Sequence, residues 1–169
     1  MNTVTDTANA AGYKGRISWV FSQQECLKPS CHGAAAPSIF HDPVFDLNGD
    51  LDLSTTHRAL DVRDCKGDLK ISTRFGDSRL SNLEGNVDLA SRGRAYLKNI
   101  KGDVKVTNEY SPTEISEIDG TVSVSSTEGS IRIENITDPV VIDGRGTQVR
   151  VRDLRDSLKI TASHRTVDV

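Results

Sequence analysis

Residues 49–54 have the sequence Gly-Asp-Leu-Asp-Leu-Ser, and residues 67–72 have the sequence Gly-Asp-Leu-Lys-Ile-Ser. Similar rungs return along the rest of the chain, each with a glycine or an aspartate at its first position. These marker residues are Gly49, Gly67, Gly85, Gly102, Gly120, Asp138 and Asp156, at spacings of 18, 18, 17, 18, 18 and 18 residues. A period this short and regular predicts a solenoid, in which each coil buries its apolar side chains against neighbouring coils.

Four columns of apolar residues recur within the repeat. They begin at Leu51, Leu53, Val62 and Cys65, and the third of them ends at Val169. The first two columns lie two residues apart, which is the period of a strand, and β-branched residues dominate them. The pattern therefore predicts an all-β fold, a parallel β-helix of about seven coils over residues 42–169. Because the apolar columns do not recur every six residues, they favour a right-handed coil over a left-handed hexapeptide helix.

Polar residues between the apolar columns also recur in register. The position after the first column holds Asp52, Lys70, Asp88 and Lys105, which predicts a ladder of alternating charge between coils stacked about 4.8 Å apart. Another column precedes the fourth apolar column and consists mainly of residues that tolerate a left-handed backbone, which predicts a stacked corner. Its members are Asp64, Asn82, Asn99, Glu117, Asn135 and Asp153.

The rungs at residues 49–54, 67–72, 85–87 and 102–104 resemble the recurring G-[DN]-[VL]-x-[VLI]-[ST] rungs of the adhesin-like family of bacterial β-helical domains. The resemblance covers residues 42–169. It implies a bacterial cell-envelope or surface setting, periplasmic or extracellular. Bactofilin filaments are similar in coil length, and that similarity implies coils that assemble end to end.

Residues 1–41 form an N-terminal extension, which we expect to cap the solenoid. Residues 16–22 alternate Ile, Trp and Phe on one face, so they predict either a strand or a short helix closing the N-terminal end. The first fifteen residues lack the basic-then-apolar order of a secretory signal. We therefore expect that an export signal, if the protein has one, is not part of this chain.

One chemically distinctive motif lies in the extension, at residues 26–33. Cys26, Cys31 and His32 resemble the longer C-x4-C-H variant of the c-type haem attachment site. The resemblance implies that the two thiols attach the porphyrin and that His32 is the axial iron ligand, with His41 as the candidate for the sixth position.

Three other interpretations of the motif stay open. Cys26 and Cys31 could form a disulfide in an oxidising compartment, or the two could join His32 and His41 in a zinc site. Alternatively, the cysteines are reduced side chains of a cap. Cys65 differs from both, because it lies in an apolar column and is expected to be a small buried side chain.

Composition and coil length exclude several function classes. The net charge is −3 with 27% charged residues, which predicts no strong attraction to nucleic acid, and no apolar stretch is long enough to span a membrane. Because every coil has 17 or 18 residues, no loop grows out to form a cleft. Outward carboxylates are expected in mixed ladders with arginines rather than in catalytic pairs, and we expect a protein that is not an enzyme. These carboxylates are Asp61, Glu114 and Glu134, and the arginines are Arg79, Arg132 and Arg152.

These observations predict a non-enzymatic scaffold or adhesin-like module. Its partner would be a surface polymer or protein, and an open C-terminal coil at Val169 would allow a homo-oligomer to form end to end. The C-terminal coils carry an excess of basic residues, which indicates either an anionic partner or a solvated face. The alternative function is electron transfer by a c-type haem, with the β-helix as its scaffold.

Overall fold

The computed structural model describes residues 17–21, 41–45, 48–56, 59–163 and 166–169. These residues form two parallel sheets of eight strands each. The chain alternates between the two sheets, so each coil contributes one strand to each of them, and the result is a parallel β-solenoid of about six turns. The fold class is confirmed, and the number of turns is close to the seven expected. The right-handed sense stays a prediction.

The first sheet contains the odd-numbered strands. They are β1 (Ile17–Phe21), β3 (Leu51–Thr55), β5 (Leu69–Thr73), β7 (Val87–Ser91), β9 (Val104–Glu109), β11 (Val122–Thr127), β13 (Val140–Arg145) and β15 (Leu158–Ser163).

The second sheet contains the even-numbered strands. They are β2 (His41–Phe45), β4 (Ala59–Lys66), β6 (Ser78–Glu84), β8 (Ala95–Lys101), β10 (Thr113–Asp119), β12 (Ser130–Ile136), β14 (Gln148–Leu154) and β16 (Val167–Asp168).

The strand register confirms the predicted apolar columns. Leu51 pairs with Leu69, and Leu69 pairs with Val87, so one column runs through the first sheet. Side chains alternate between buried and exposed along strands such as β5 and β7, as expected when one face of a sheet covers the core. The core is therefore a single stack of aliphatic side chains between the two sheets.

The left-handed corner is confirmed at every predicted position. Asp64, Asn82, Asn99, Glu117, Asn135 and Asp153 have φ angles of 55°, 55°, 53°, 58°, 56° and 53°. Asn82 Nδ2 donates to Asp64 Oδ1 at 2.9 Å, and Asn99 Nδ2 donates to Asn82 Oδ1 at 2.8 Å. Side-chain hydrogen bonds thus connect the three coils of β4, β6 and β8 at this corner.

The marker glycines form a second corner, where backbones approach closely. Gly85 has a φ of 142°, and a Cβ placed on it would lie 2.2 Å from the carbonyl oxygen of Gly67. Side-chain-bearing residues rarely adopt this conformation, and the contact leaves no room for a methyl group. Glycine is therefore required at this position because the backbones of successive coils are in contact there, and not only because the chain turns.

The N-terminal extension contributes a strand to the solenoid. Of the two alternatives for residues 16–22, the structure has the strand: Ile17–Phe21 pairs in parallel with Leu51–Thr55. His41 is the first residue of β2 and lies opposite Ala59. The two strands are the outermost members of their sheets at this end of the described coils.

The opposite end is less buried. Leu154, Leu158 and Ile160 are only partly buried against the core. Val169, which the repeat assigns to the third core column, is 77% exposed, because no described coil stacks upon it.

Candidate interaction surfaces

The outer face of the first sheet carries the predicted charge ladder. Asp52 lies opposite Lys70, Lys70 opposite Asp88, and Asp88 opposite Lys105. The register therefore places each charge between neighbours of the opposite sign. At a strand spacing of about 4.8 Å, this order avoids the repulsion that a uniform column would produce.

A second column on this sheet, immediately before the strands, consists of oxygen-bearing side chains bonded to the backbone. The backbone N–H of Asp68 donates to Asp50 Oδ1 at 3.1 Å, and that of Asn86 donates to Asp68 Oδ1 at 3.0 Å. The pattern continues at 3.0 Å from Asp103 to Asn86 and from Thr121 to Asp103. Each side chain thus ties its own coil to the next, which explains an aspartate or asparagine after the glycine of each of these rungs.

These two columns border a shallow groove of about 580 Å³ that follows the stacked coils. Its charged lining comprises Asp50, Asp52, Asp68, Lys70, Asp88, Asp103 and Lys105, which is five acidic and two basic side chains. The acidic column already accepts backbone hydrogen bonds, so its first role is structural. The groove nevertheless offers an elongated open surface rather than an enclosed pocket.

The outer face of the second sheet carries the predicted mixed ladders. Asp61 lies opposite Arg79, Glu114 opposite Arg132, and Glu134 opposite Arg152. The closest ion pairs, however, form within one strand. These pairs join Asp61 to Arg63, with Arg63 Nε donating at 2.8 Å, and Glu134 to Arg132, with Arg132 Nε donating at 2.9 Å.

Two of these surface groups have shifted pKa values. The hydrogen bond and charge of Asp61 raise the pKa of the Arg63 guanidinium. A hydrogen bond from Lys66 and its charge lower the pKa of Glu84, and the charge of Lys101 lowers it further. Lys66 Nζ lies 2.9 Å from Glu84 Oε2, so Glu84 links neighbouring coils through exposed ion pairs. The Lys66–Glu84 pair is exposed and adds little to stability, whereas Arg63 pairs with a carboxylate, Asp61, that is largely buried.

The basic C-terminal coils are partly neutralised by neighbouring carboxylates. Arg150 Nε lies 3.2 Å from Asp168 Oδ2, and Arg132 bonds Glu134 as described above. Arg145, Arg152, Arg155 and Lys159 are exposed. The C-terminal coils therefore present a surface of mixed charge, on which some of the arginines predicted to be in excess already pair with carboxylates.

The cysteine and histidine motif is not assembled by the described coils. Cys26, Cys31 and His32 lie outside the described residues, and for His41 only the strand position at the start of β2 is described. Haem, zinc and disulfide all stay predictions here. A Soret band and a mass raised by one haem would support the haem assignment, whereas a featureless spectrum and an unmodified mass would refute it.

The third cysteine behaves as predicted. Cys65 is buried in the core, and its thiol lies 3.2 Å from the carbonyl oxygen of Arg63, to which it donates. Among the described residues, no three His, Cys, Asp or Glu side chains are grouped so that they could hold a metal ion. The described ranges also contain no helix of the length and apolarity needed to cross a membrane.

Comparison with family models, curated proteins and solved structures finds no match to this chain. The resemblance to adhesin-like β-helical domains therefore rests on the rung motif alone. The structure adds two features that the repeat did not single out: the backbone-bonded column from Asp50 to Asp103, and exposed aromatic residues in the turns. The first was signalled by the [DN] position of the rung, whereas the turns vary from coil to coil.

Proposed function

We propose that this chain is a non-enzymatic β-helical scaffold, an adhesin-like module of the bacterial cell envelope or surface. The observation that carries the proposal is the stacking of nearly equal coils into two eight-stranded sheets with side chains in continuous ladders. Such a surface repeats along one direction, and repeating surfaces suit extended partners. The partner class is a surface polymer or protein.

The proposal includes end-to-end self-assembly. Val167, in the outermost described strand of the second sheet, and Val169, just after that strand, are exposed, and the outer edge of a sheet readily pairs with another strand. Sedimentation velocity across a hundredfold range of concentration tests this part. We expect larger species at high concentration and a weaker tendency in Val169→Asp, and a constant monomer would contradict assembly.

The scaffold role is tested with isolated envelopes from a Gram-negative and a Gram-positive bacterium. We expect the folded protein to co-sediment with at least one of them in a saturable manner, and protein unfolded by heat not to do so. Parallel incubations with purified polysaccharides should release no new chain ends. Turnover of a polysaccharide would contradict the non-enzymatic role, and failure to bind either envelope would contradict the adhesin-like role.

A further inference from the structure

Three consecutive turns connect the first sheet to the second along one side of the molecule, and we call them the turn ridge. They comprise residues 74–77, 92–94 and 109–112, and the last of them starts at Glu109, the end residue of β9. The middle turn is one residue shorter than the others, because Thr73 pairs with Ser91 while Ser78 pairs with Ala95. The single 17-residue spacing in the repeat is thus accommodated entirely within this turn.

The middle turn also lacks a side chain at its centre. Gly93 lies on Gly76, and a Cβ on Gly93 would come within 2.1 Å of the carbonyl oxygen of Gly76. Ser111 Oγ donates to the carbonyl oxygen of Arg92 at 2.7 Å, which holds the middle turn to the next one. The shortened turn with its central glycine therefore forms a notch between two bulkier turns.

Aromatic side chains lie on both sides of this notch. Phe75 is 62% exposed and Tyr110 is 65% exposed, and the other large exposed hydrophobic residues in the described ranges are valines. Their turns are two coils apart, which corresponds to about 10 Å along the stack. Tyr110 has a φ of 66°, and its equivalents Glu128 and Gly146 in the next coils have φ angles of 52° and 61°, so this left-handed conformation belongs to the turn.

The ridge carries positive charge beside these aromatic residues. Arg92 Nε lies 2.8 Å from Glu109 Oε2, and Asp77 Oδ1 accepts the backbone N–H of Arg94 at 3.0 Å. Arg74 and Arg94 are exposed, and neither guanidinium forms an ion pair with a described residue. Three arginines against two acids leave the ridge with a charge of +1, although the whole chain has a charge of −3.

The chemistry of these groups defines a ligand class. Aromatic rings offer large and rigid apolar faces, on which the C–H faces of sugar rings pack, and guanidinium groups bind carboxylates through paired hydrogen bonds. We propose that the turn ridge binds an acidic polysaccharide, with sugar rings on Phe75 and Tyr110 and carboxylates at Arg74 and Arg94. This inference rests on the proposed scaffold function and names its partner class.

A single-stranded nucleic acid would also stack on aromatic rings, but the charges of the chain oppose it. Each nucleotide brings a phosphate, and proteins that bind such strands follow the backbone with a strongly basic groove. The ridge has two arginines without an ion-pair partner among the described residues, on a chain of net negative charge. A polymer with fewer charges and more apolar ring surface therefore fits better.

The probe for the test is a polygalacturonate oligomer, titrated calorimetrically against the whole chain. We expect saturable binding that is at least tenfold weaker in the double variant Phe75→Ala with Tyr110→Asn, and similarly weaker in Arg74→Gln with Arg94→Gln. Asparagine is chosen at position 110 because it tolerates a positive φ. Circular dichroism and the urea midpoint verify that both double variants are folded.

Matched controls isolate the ridge. Arg145→Gln with Arg155→Gln removes the same charge from the C-terminal coils, and Tyr110→Phe keeps the ring. Both variants should bind the oligomer within twofold of the original chain.

Three results would overturn the inference: the double aromatic variant binds the oligomer as tightly as the original chain, neutral dextran binds as tightly as the oligomer, or an oligothymidylate binds more tightly. If the ridge variants still bind bacterial envelopes normally, the inference fails while the scaffold function stands. If the original chain binds no envelope, the scaffold function itself fails.

Discussion

The glycine corners of the N-terminal coils and the aspartate corners of the C-terminal coils solve the same stacking problem differently. In the glycine coils, the backbone N–H of Gly67 donates to the carbonyl oxygen of Glu84 at 2.8 Å, one coil ahead. In the aspartate coils, the N–H of Arg155, the residue before the marker Asp156, donates to the carbonyl oxygen of Ile136 at 3.0 Å. The coil length and the core columns are the same in both regions, so the corner chemistry varies independently of the core.

The two corners also differ in how closely they pack. The marker glycines from Gly67 to Gly120 each lie against the carbonyl of the glycine before them. Beside the aspartate corners there is a cavity of about 480 Å³, lined by Asn135, Ile136, Thr137, Asp153, Leu154 and Arg155. Glycine thus permits direct backbone contact, whereas a side chain at the marker position accompanies a more open corner. We expect the glycine coils to be the more stable part of the solenoid.

The largest expected difference comes from adding one methyl group at a glycine corner. In Gly85→Ala, the Cβ would meet the Gly67 carbonyl at 2.2 Å and φ is unfavourable, so we expect a loss of at least about 3 kcal/mol. Asp156→Ala, at the equivalent position of an exposed corner, should cost less than about 1 kcal/mol. Urea unfolding of both variants measures the difference, and equal losses would contradict the distinction between the corners.

A core truncation in each region should show the next largest difference. Leu89 is fully buried in a central coil, so Leu89→Ala should cost about 2–5 kcal/mol through lost burial and the cavity left behind. Leu158 is only partly buried, and Leu158→Ala should cost about half as much. Thermal and urea unfolding provide the measurement. A larger loss at Leu158 would show that the C-terminal coils are the better packed region.

The left-handed corner allows a subtler comparison. Asn82→Ala removes the hydrogen bonds to Asp64 and Asn99 and keeps the unfavourable φ, so we expect a loss of about 1–2 kcal/mol. Asp153→Ala also puts an alanine at a positive φ, but it removes none of the side-chain hydrogen bonds between coils, so its loss of stability should be smaller. Asn82→Gly serves as the control, since it loses the bonds while relieving the strain. If Asn82→Gly is as destabilising as Asn82→Ala, the strain is negligible.

The smallest expected effect is the pH dependence of an exposed ion pair in the glycine coils. The folded pKa of Glu84 is lowered below its ordinary 4.5 by Lys66, so the stabilisation is present above pH 4.5 and is lost as the pH falls through the lowered value. Carbon-detected NMR titration should place the Glu84 midpoint below 4.5, and Lys66→Met should raise it. A midpoint that does not move in Lys66→Met would assign the shift to another group.

The sequence predicts the periodic features of this molecule well. The four core columns, the alternating ladder from Asp52 to Lys105 and the positive φ at Asn82 and its equivalents all follow from residue types at a fixed period. Such features are predictable because stacking repeats each local environment in every coil. Asn108, which lies opposite Ser91 near the end of its strand, was not predicted to be buried, yet it is buried there and donates to Thr113 Oγ1 at 2.8 Å.

Features outside the period were not predictable in the same way. The pairing of β1 with β3 joins strands separated by about thirty residues that carry no repeat marker. The turn ridge depends on one missing residue between Ser91 and Ala95, together with aromatic residues in two of the described turns.

The most direct test of where the scaffold binds its partner is an amide chemical-shift titration with a polygalacturonate oligomer. If recognition resides in the turn ridge on the glycine coils, the shifted amides will be those around Phe75, Gly93 and Tyr110, while those around Arg152 and Arg155 stay unchanged. Shifts centred on the arginines of the C-terminal coils, or no shifts at saturating oligomer, would contradict that assignment.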